Sequence, residues 1–279
     1  MRDHNKAFCR LVAETFDCPA PVYEFGSYQV EGQEGYANLR GMFAGKSFVG
    51  CDMRAGPGVD RIEDVSAISL PSNSAGTVLC IETFEHVFEV RRAFDEVFRI
   101  LKPGGLFLIT TPLNFRIHAY PDDYWRLTPS CLKRMMSPYE GRIIGAQGHS
   151  PFPHSVMALG AKTPAPSDFA ERAQALIDGY QRFMVEAAAA VPFRARMRRK
   201  LGSLYRSKGE RQQIAGYYHA DFKVEIGVEL EAEPAASATR EARFDLASNA
   251  TSGTNKHDPK NVRNGKKSAW RHPSIAYWF

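Results

Sequence analysis

The chain has 279 residues, 44% of them hydrophobic, and a formal charge of +5. That is enough for one ordinary domain with extensions, and the basic excess is mostly local. No apolar run is long enough to span a bilayer, and M-R-D-H-N-K-A-F lacks the apolar segment of a signal peptide. Cys9, Cys18, Cys51, Cys80 and Cys131 are scattered and form no C-x-x-C pair. They read as reduced, mostly buried thiols of a cytoplasmic protein, not as a disulfide or zinc framework.

Lys6 to Phe16 carries Phe8, Leu11, Val12 and Phe16 at helical spacing, and Pro19 and Pro21 stop that helix. Val22 to Phe25 reads as a first strand, followed at once by Gly26. Gln33 to Phe43 has a weak helical pattern. Ser47 to Asp52 is a second strand and Val59 to Asp64 a short third. Thr77 to Glu82 is a near-continuous apolar run, as in a strand buried on both faces. Val90 to Leu101 is an amphipathic helix, Lys102-Pro103-Gly104-Gly105 a structural turn, and Leu106 to Thr110 the next strand. Arg142 to Gln147 and Ser155 to Lys162 supply two last strands.

Alternating strands and helices imply right-handed crossovers and a parallel sheet covered on both faces. Ligands bind such sheets at the carboxyl ends of the strands, near the point where strand order reverses. Glu24, Asp52, Asp64 and Glu82 each close a strand, so they are expected to rim one crevice. After Lys162 the character changes. Asp168 to Ala190 reads as a helix with a capping box formed by Asp168 and Glu171. Residues 194–211 are strongly basic. From about Glu231 the chain is rich in Ala, Ser, Thr, Asn, Gly and charge, and little fixed structure is expected.

The series E-F-G-S, V-G-C-D-M, D-R-I-E-D-V, L-P-S-N-S, T-V-L-C-I-E-T-F-E-H-V and R-I-L-K-P-G-G-L-F-L-I-T-T-P resembles the class I (Rossmann-like) S-adenosylmethionine-dependent methyltransferases, small-molecule branch. The resemblance covers roughly Pro21 to Lys162, and E-H-V followed by R-I-L-K-P-G-G is its most specific part. D-D-Y-W-R-L-T-P resembles the loop after the fifth strand in a bacterial branch associated with polysaccharide and other small-molecule biosynthesis. The fold this implies is α/β: a mostly parallel sheet with helices on both faces, plus a helical, partly disordered C-terminal extension. The expected divisions are an N-terminal helix at 1–20, a methyltransferase domain at 21–163, a helical basic extension at 164–230 and a disordered tail at 231–279.

The resemblance also implies roles. Gly26 and Ser27 offer backbone N–H groups to the cofactor's carboxylate. Glu24 steadies the loop and the cofactor's ammonium end. Asp52 accepts both ribose hydroxyls, and Met53 packs on the adenine. Asp64, with the Val65 backbone beside it, takes the adenine amino group. Glu82 stands near the sulfonium. One departure is plain: Tyr28 and Val30 stand where the family commonly has glycines, so the loop takes another path or binds cofactor less tightly. Alignment of donor and acceptor would carry most of the catalysis. A hydroxyl acceptor would also need a base, for which His86 leads and Asp122 and Asp123 follow. Tyr120, Tyr124, Trp125 and Arg126 are candidates for the substrate wall.

Simpler readings stand beside these. Asp52 and Asp64 could be turn residues, His86 a packing residue, Tyr124 and Trp125 core. The 194–211 cluster reads first as a solvated helix face, with weak contact to an acidic membrane surface as the minority reading. No metal-ligand spacing is visible, so no metal is expected. A catalytically degenerate fold acting as a binding or scaffold subunit is the rival to the enzyme. No G-x-G-x-x-G follows the first strand, which argues against a dehydrogenase, and nucleic acid is not an expected partner.

Overall fold

The computed structural model describes residues 1–227 apart from 31, 33–34, 119–121 and 204. In chain order the elements are α1 (Asp3–Thr15), β1 (Val22–Phe25), β2 (Phe48–Asp52), β3 (Arg61–Ile62), β4 (Ala75–Ile81), α2 (Val90–Ile100) and β5 (Leu101–Pro112). Then follow α3 (Pro129–Met135), β6 (Gly141–His149), β7 (Phe152–Ala161), α4 (Phe169–Ala190), α5 (Phe193–Ser203), α6 (Lys208–Ala215) and β8 (Ala220–Ile226). All eight strands join one sheet in the order β3-β2-β1-β4-β5-β7-β6-β8.

The strands from β3 through β5 run parallel, β7 runs antiparallel to β5, and β8 pairs antiparallel with β6 at the edge. Strand order reverses between β1 and β4. The fold is thus the expected mostly parallel α/β sheet, with two hydrophobic clusters, one on each face. Every residue of β4 is buried, as its unbroken apolar run requires of a central parallel strand. On one face α2 buries Val90, Ala93, Phe94, Val97 and Ile100, and Phe94 meets Phe84 and Phe107 edge to face. On the other face Phe8 of α1 and Tyr180 of α4 pack edge to face over the sheet.

Several local expectations need correcting. The helix expected at 33–43 is only a 3-10 turn at Arg40–Phe43; Gly35, Asn38 and Gly41 are poor helix formers. Lys102-Pro103-Gly104-Gly105 is not a turn between elements. It lies inside β5 as an irregularity in the pairing with β4, with Gly104 at φ +74°. Asp168 makes no side-chain cap on α4; it pairs with Arg172 at 2.7 Å.

The basic stretch forms α5 and α6, the latter with a Ser207–Glu210 capping box that the reading overlooked. β8 was also overlooked, although A-D-F-K-V-E-I alternates apolar and polar residues strictly. Arg142, 1% exposed, ties β6 to β8 through Glu225 at 3.1 Å. Residues after 163 therefore complete the sheet, and the described residues belong to one compact unit. The tail expected at 231–279 lies outside the described residues, as does Tyr120. No helix among the described residues is long and apolar enough to cross a membrane.

Candidate active site

Register fixes the rim of the crevice. Phe25 is level with Cys51 on β2 and with Cys80 on β4, and Asp52 is level with Ile62 on β3. Asp64, Asp52, Glu24 and Glu82 therefore lie at the carboxyl ends of four adjacent parallel strands, each about 4.8 Å from the next. Glu24 pairs with Gly50 across the sheet, so its side chain and that of Asp52 leave the same face.

On the β2 and β3 side the carboxylates are lightly held. Asp52 accepts from the Arg54 backbone N at 3.1 Å, with the Arg54 Nε at 3.7 Å. Asp64 uses one oxygen for the Ser66 N–H and hydroxyl, at 2.8 and 2.7 Å, an Asx turn. Met53 is 65% exposed, while Val65 is buried. Glu63, beside Asp64, is buried and held by Arg61 and Ser69.

On the β1 and β4 side the chain covers its own carboxylates. Glu24 is buried, and that burial raises its carboxyl to about 8; among the described residues the Arg40 guanidinium acts in the opposite direction. Glu82 is a non-glycine residue at φ +52°, a strained conformation often found at functional sites. Its carboxylate accepts from Asn5 at 3.0 Å and lies 3.2 Å from the Met1 amino group. The expected place beside a sulfonium is thus shared with Asn5 of α1 and with Met1.

The loop after β1 takes another path than the glycine-rich one. The Gly26 and Ser27 N–H groups both donate to the Cys51 carbonyl, at 2.9 and 3.0 Å, and the Gln29 N–H donates to Pro57 O at 2.9 Å. These two N–H groups are therefore engaged in the sheet, which corrects the expectation that they meet a cofactor carboxylate. Tyr28 rests against Gly56, with the Arg54 guanidinium 4.6 Å over its ring. Gly26 itself, at φ +84°, has no room for a Cβ, which would fall 2.3 Å from Thr83 Oγ1.

Beyond β4 the D-D-Y-W-R-L-T-P loop is zipped onto the backbone of residues 85–88. The Tyr124 and Trp125 N–H groups donate to Glu85 O at 2.7 and 3.2 Å, and Trp125 Nε1 donates to Val87 O at 2.9 Å. Asp123 is nearly inaccessible. It is clamped by Arg126 and accepts from the His118 N–H at 2.9 Å. The Arg126 guanidinium holds its carboxyl well below the usual range, so it is a poor base. Arg126 in turn is spent on Asp123 and on the carbonyls of Trp125 and Arg116, which removes it as an anion receptor. Asp122 accepts from the Tyr124 hydroxyl at 2.9 Å. Trp125 lines a hollow of about 300 Å³ with Phe88, Leu127 and Met135.

His86 does stand near the rim. Its Nδ1 lies 2.5 Å from Asp122 O, its Nε2 lies 3.8 Å from Glu85 Oε1, and its ring meets His118 edge to face at 4.8 Å. Burial lowers its pKa, against the effect of the Asp122 carbonyl. Glu85 and His118 were not singled out from the sequence. The gathering of Glu85, His86 and His118 in space is not visible in their sequence spacing, on which no metal was expected. The adjacent E-H pair was the available signal; His118, far along the chain, had none.

Residues 39–109 match a family described as "Methyltransferase domain". That stretch runs from the 3-10 turn into β5 and includes Asp52, Asp64, Glu82 and the E-H-V and L-K-P-G-G motifs. The stretch is therefore similar to a methyltransferase domain over about a quarter of the chain. A probable S-adenosylmethionine-dependent methyltransferase of Mycolicibacterium smegmatis is 37% identical over 57 residues, 20% of this chain and 22% of that relative's length.

Among solved structures, the YcgJ protein from Bacillus subtilis aligns with TM-score 0.42 and 16% identity, covering 56% of this chain and 97% of that one. A 1,6-didemethyltoxoflavin-N1-methyltransferase from Burkholderia thailandensis, with its substrate and S-adenosylhomocysteine bound, aligns with TM-score 0.43 and 16% identity over 58% of this chain and 79% of that one. At this rim Asp52 and Asp64 present carboxylate oxygens, acceptors of the kind a diol or an amino group uses, and Glu24 and Glu82 add acidic groups on the β1 and β4 side.

Proposed function

We propose that the protein is an S-adenosylmethionine-dependent methyltransferase that acts on a small-molecule acceptor, a sugar hydroxyl in polysaccharide or secondary-metabolite biosynthesis being the reading we favour. One observation supports it: Asp52 ends β2, Asp64 and Glu82 follow β3 and β4, and Glu24 lies one residue before the end of β1, on strands that flank the point where strand order reverses. When bound, S-adenosylmethionine supplies a methyl group activated by a positive sulfur. The chain's part is to orient. Asp52 would hold the ribose, Asp64 and Val65 the adenine edge, and Met53 its face. A hydroxyl acceptor has to lose a proton, and the Glu85–His86–His118 cluster beyond β4 supports that choice of acceptor. Five unpaired cysteines suit a cytoplasmic setting.

Calorimetry with S-adenosylhomocysteine tests the reading. The wild type binds, and Asp52→Ala loses about 100-fold in affinity, the equivalent of one charged hydrogen-bond set. Transfer of labelled methyl groups to a panel of sugars then identifies the acceptor. A folded wild type that takes up no S-adenosylhomocysteine would favour the scaffold reading instead. The engagement of the Gly26 and Ser27 N–H groups within the sheet is the observation on that side.

A further inference from the structure

Glu85, His86 and His118 meet beyond the carboxyl end of β4; the first two are sequence neighbours and the third comes from the loop after β5. One potential ligand atom from each lies within 4.8 Å of the other two. The Glu85 side chain is 1% exposed, and among the described residues neither of its oxygens has a hydrogen-bond partner. A carboxylate is costly to bury in that condition unless something else satisfies it.

The two imidazoles are prepared alike. His86 Nδ1 lies 2.5 Å from Asp122 O, and His118 Nδ1 lies 3.0 Å from Asp123 Oδ2. An N–H aimed at each of those oxygens leaves Nε2 with its lone pair. Arg126 fixes Asp123 behind His118. A ring held by a carboxylate or carbonyl at one nitrogen, with the other nitrogen turned to the ion, is the usual setting of a histidine metal ligand.

We infer that Glu85, His86 and His118 form a binding site for one divalent transition-metal ion. Two imidazole nitrogens and one carboxylate suit Zn²⁺ and leave a position for one further oxygen ligand. Metal–ligand bonds of about 2.0–2.2 Å require the cluster to close by about an ångström. A hydroxyl taken up at the remaining position would release its proton to solvent more readily. That use of the ion rests on the proposed methyl transfer, but the binding site does not.

The experiment titrates Zn²⁺ into the full, untagged, chelator-treated chain without any cofactor. The expected result is saturable binding of one ion per chain. Glu85→Gln and His118→Ala each weaken it at least tenfold, and Asp123→Asn, which acts by positioning His118, weakens it by about 10–100-fold. Cobalt(II) in place of zinc gives visible absorption bands that are absent in Glu85→Gln, a signature that a purely structural glutamate would not supply. Thermal melts confirm that each variant is folded. A wild type without stoichiometric binding, or folded Glu85→Gln and His118→Ala proteins that bind as well as wild type, would overturn the site. S-adenosylhomocysteine titrations on the same samples separate the two proposals: cofactor uptake without zinc uptake removes only the metal site, and the reverse removes only the methyltransferase reading.

Discussion

The two sides of the crevice differ in what holds their acidic groups. On the β2 and β3 side, Asp52 and Asp64 have partners within their own turns, Arg54 and Ser66, and Met53 stands open beside them. On the β1 and β4 side, Glu24 is buried, Glu82 is covered by Met1 and Asn5, and the Glu85 carboxyl is enclosed without a hydrogen-bond partner among the described residues. The first side is arranged to receive a polar ligand with little rearrangement. The second stores unfavourable burial and backbone strain, which a protein tolerates where charge is to be met later.

The largest way to disturb this contrast is Gly26→Ala. The added methyl would collide with Thr83 at the junction of the two sides, at a φ that L residues avoid. It should cost about 3 kcal/mol in urea unfolding, and in a Thr83→Ala background only about 1 kcal/mol, the backbone strain that remains. Equal losses in both backgrounds would show that the contact is not the cause.

Next in size is the cofactor comparison. Asp52→Ala should lower S-adenosylhomocysteine affinity about 100-fold, whereas Glu82→Gln should lower it less than about tenfold, because Glu82 already has partners from its own chain. A larger loss for Glu82→Gln would reverse the assignment of the two sides.

A separate effect concerns pH. The folded state keeps the proton on Glu24 up to about pH 8 because burial disfavours its charge. The unfolded chain gives that proton up near the ordinary carboxylate value. The contribution to stability is therefore complete below pH 4.5 and is lost as pH rises to 8, with a slope of at most about 1.4 kcal/mol per pH unit. Glu24→Gln, which copies the protonated form, should lack this part of the decline. Melting curves of wild type and variant from pH 5 to 8 that stay parallel would refute it. The smallest effect is Tyr28→Ala, which removes the contact with Arg54 and should cost about 0.5–1 kcal/mol while leaving the fold intact.

Much of the sheet was legible. Val22–Phe25 was read with both ends correct, and β2, β4, α2, β6 and β7 were found because each carries its own periodicity. The shortfalls have physical causes. The 33–43 segment has apolar residues at helical spacing but too much glycine to hold the helix. β8 was hidden by the expectation that basic, polar sequence after Lys162 is only extension, although its alternation was plain.

Of the candidate site, the four acidic residues stand out because each lies at or near the end of a strand-like run. Asp123 and Arg126 looked like chemistry and prove to be bonded to each other, which no spacing rule reveals. Glu85 and His118 were passed over for the opposite reason: their importance comes from burial and proximity, not from local pattern.

Local sequence by itself determined the alternation of strands and helices and the acidic ending of each early strand, because hydrophobic period and chain punctuation are properties of short segments. Only the tertiary structure decided that β8 closes the sheet, that the loop after Gly26 crosses to residues 51–57, and that Glu85, His86 and His118 share one small volume. Those outcomes depend on which surfaces are buried against each other and which polar groups are left without water, and neither is a property of any short stretch of chain.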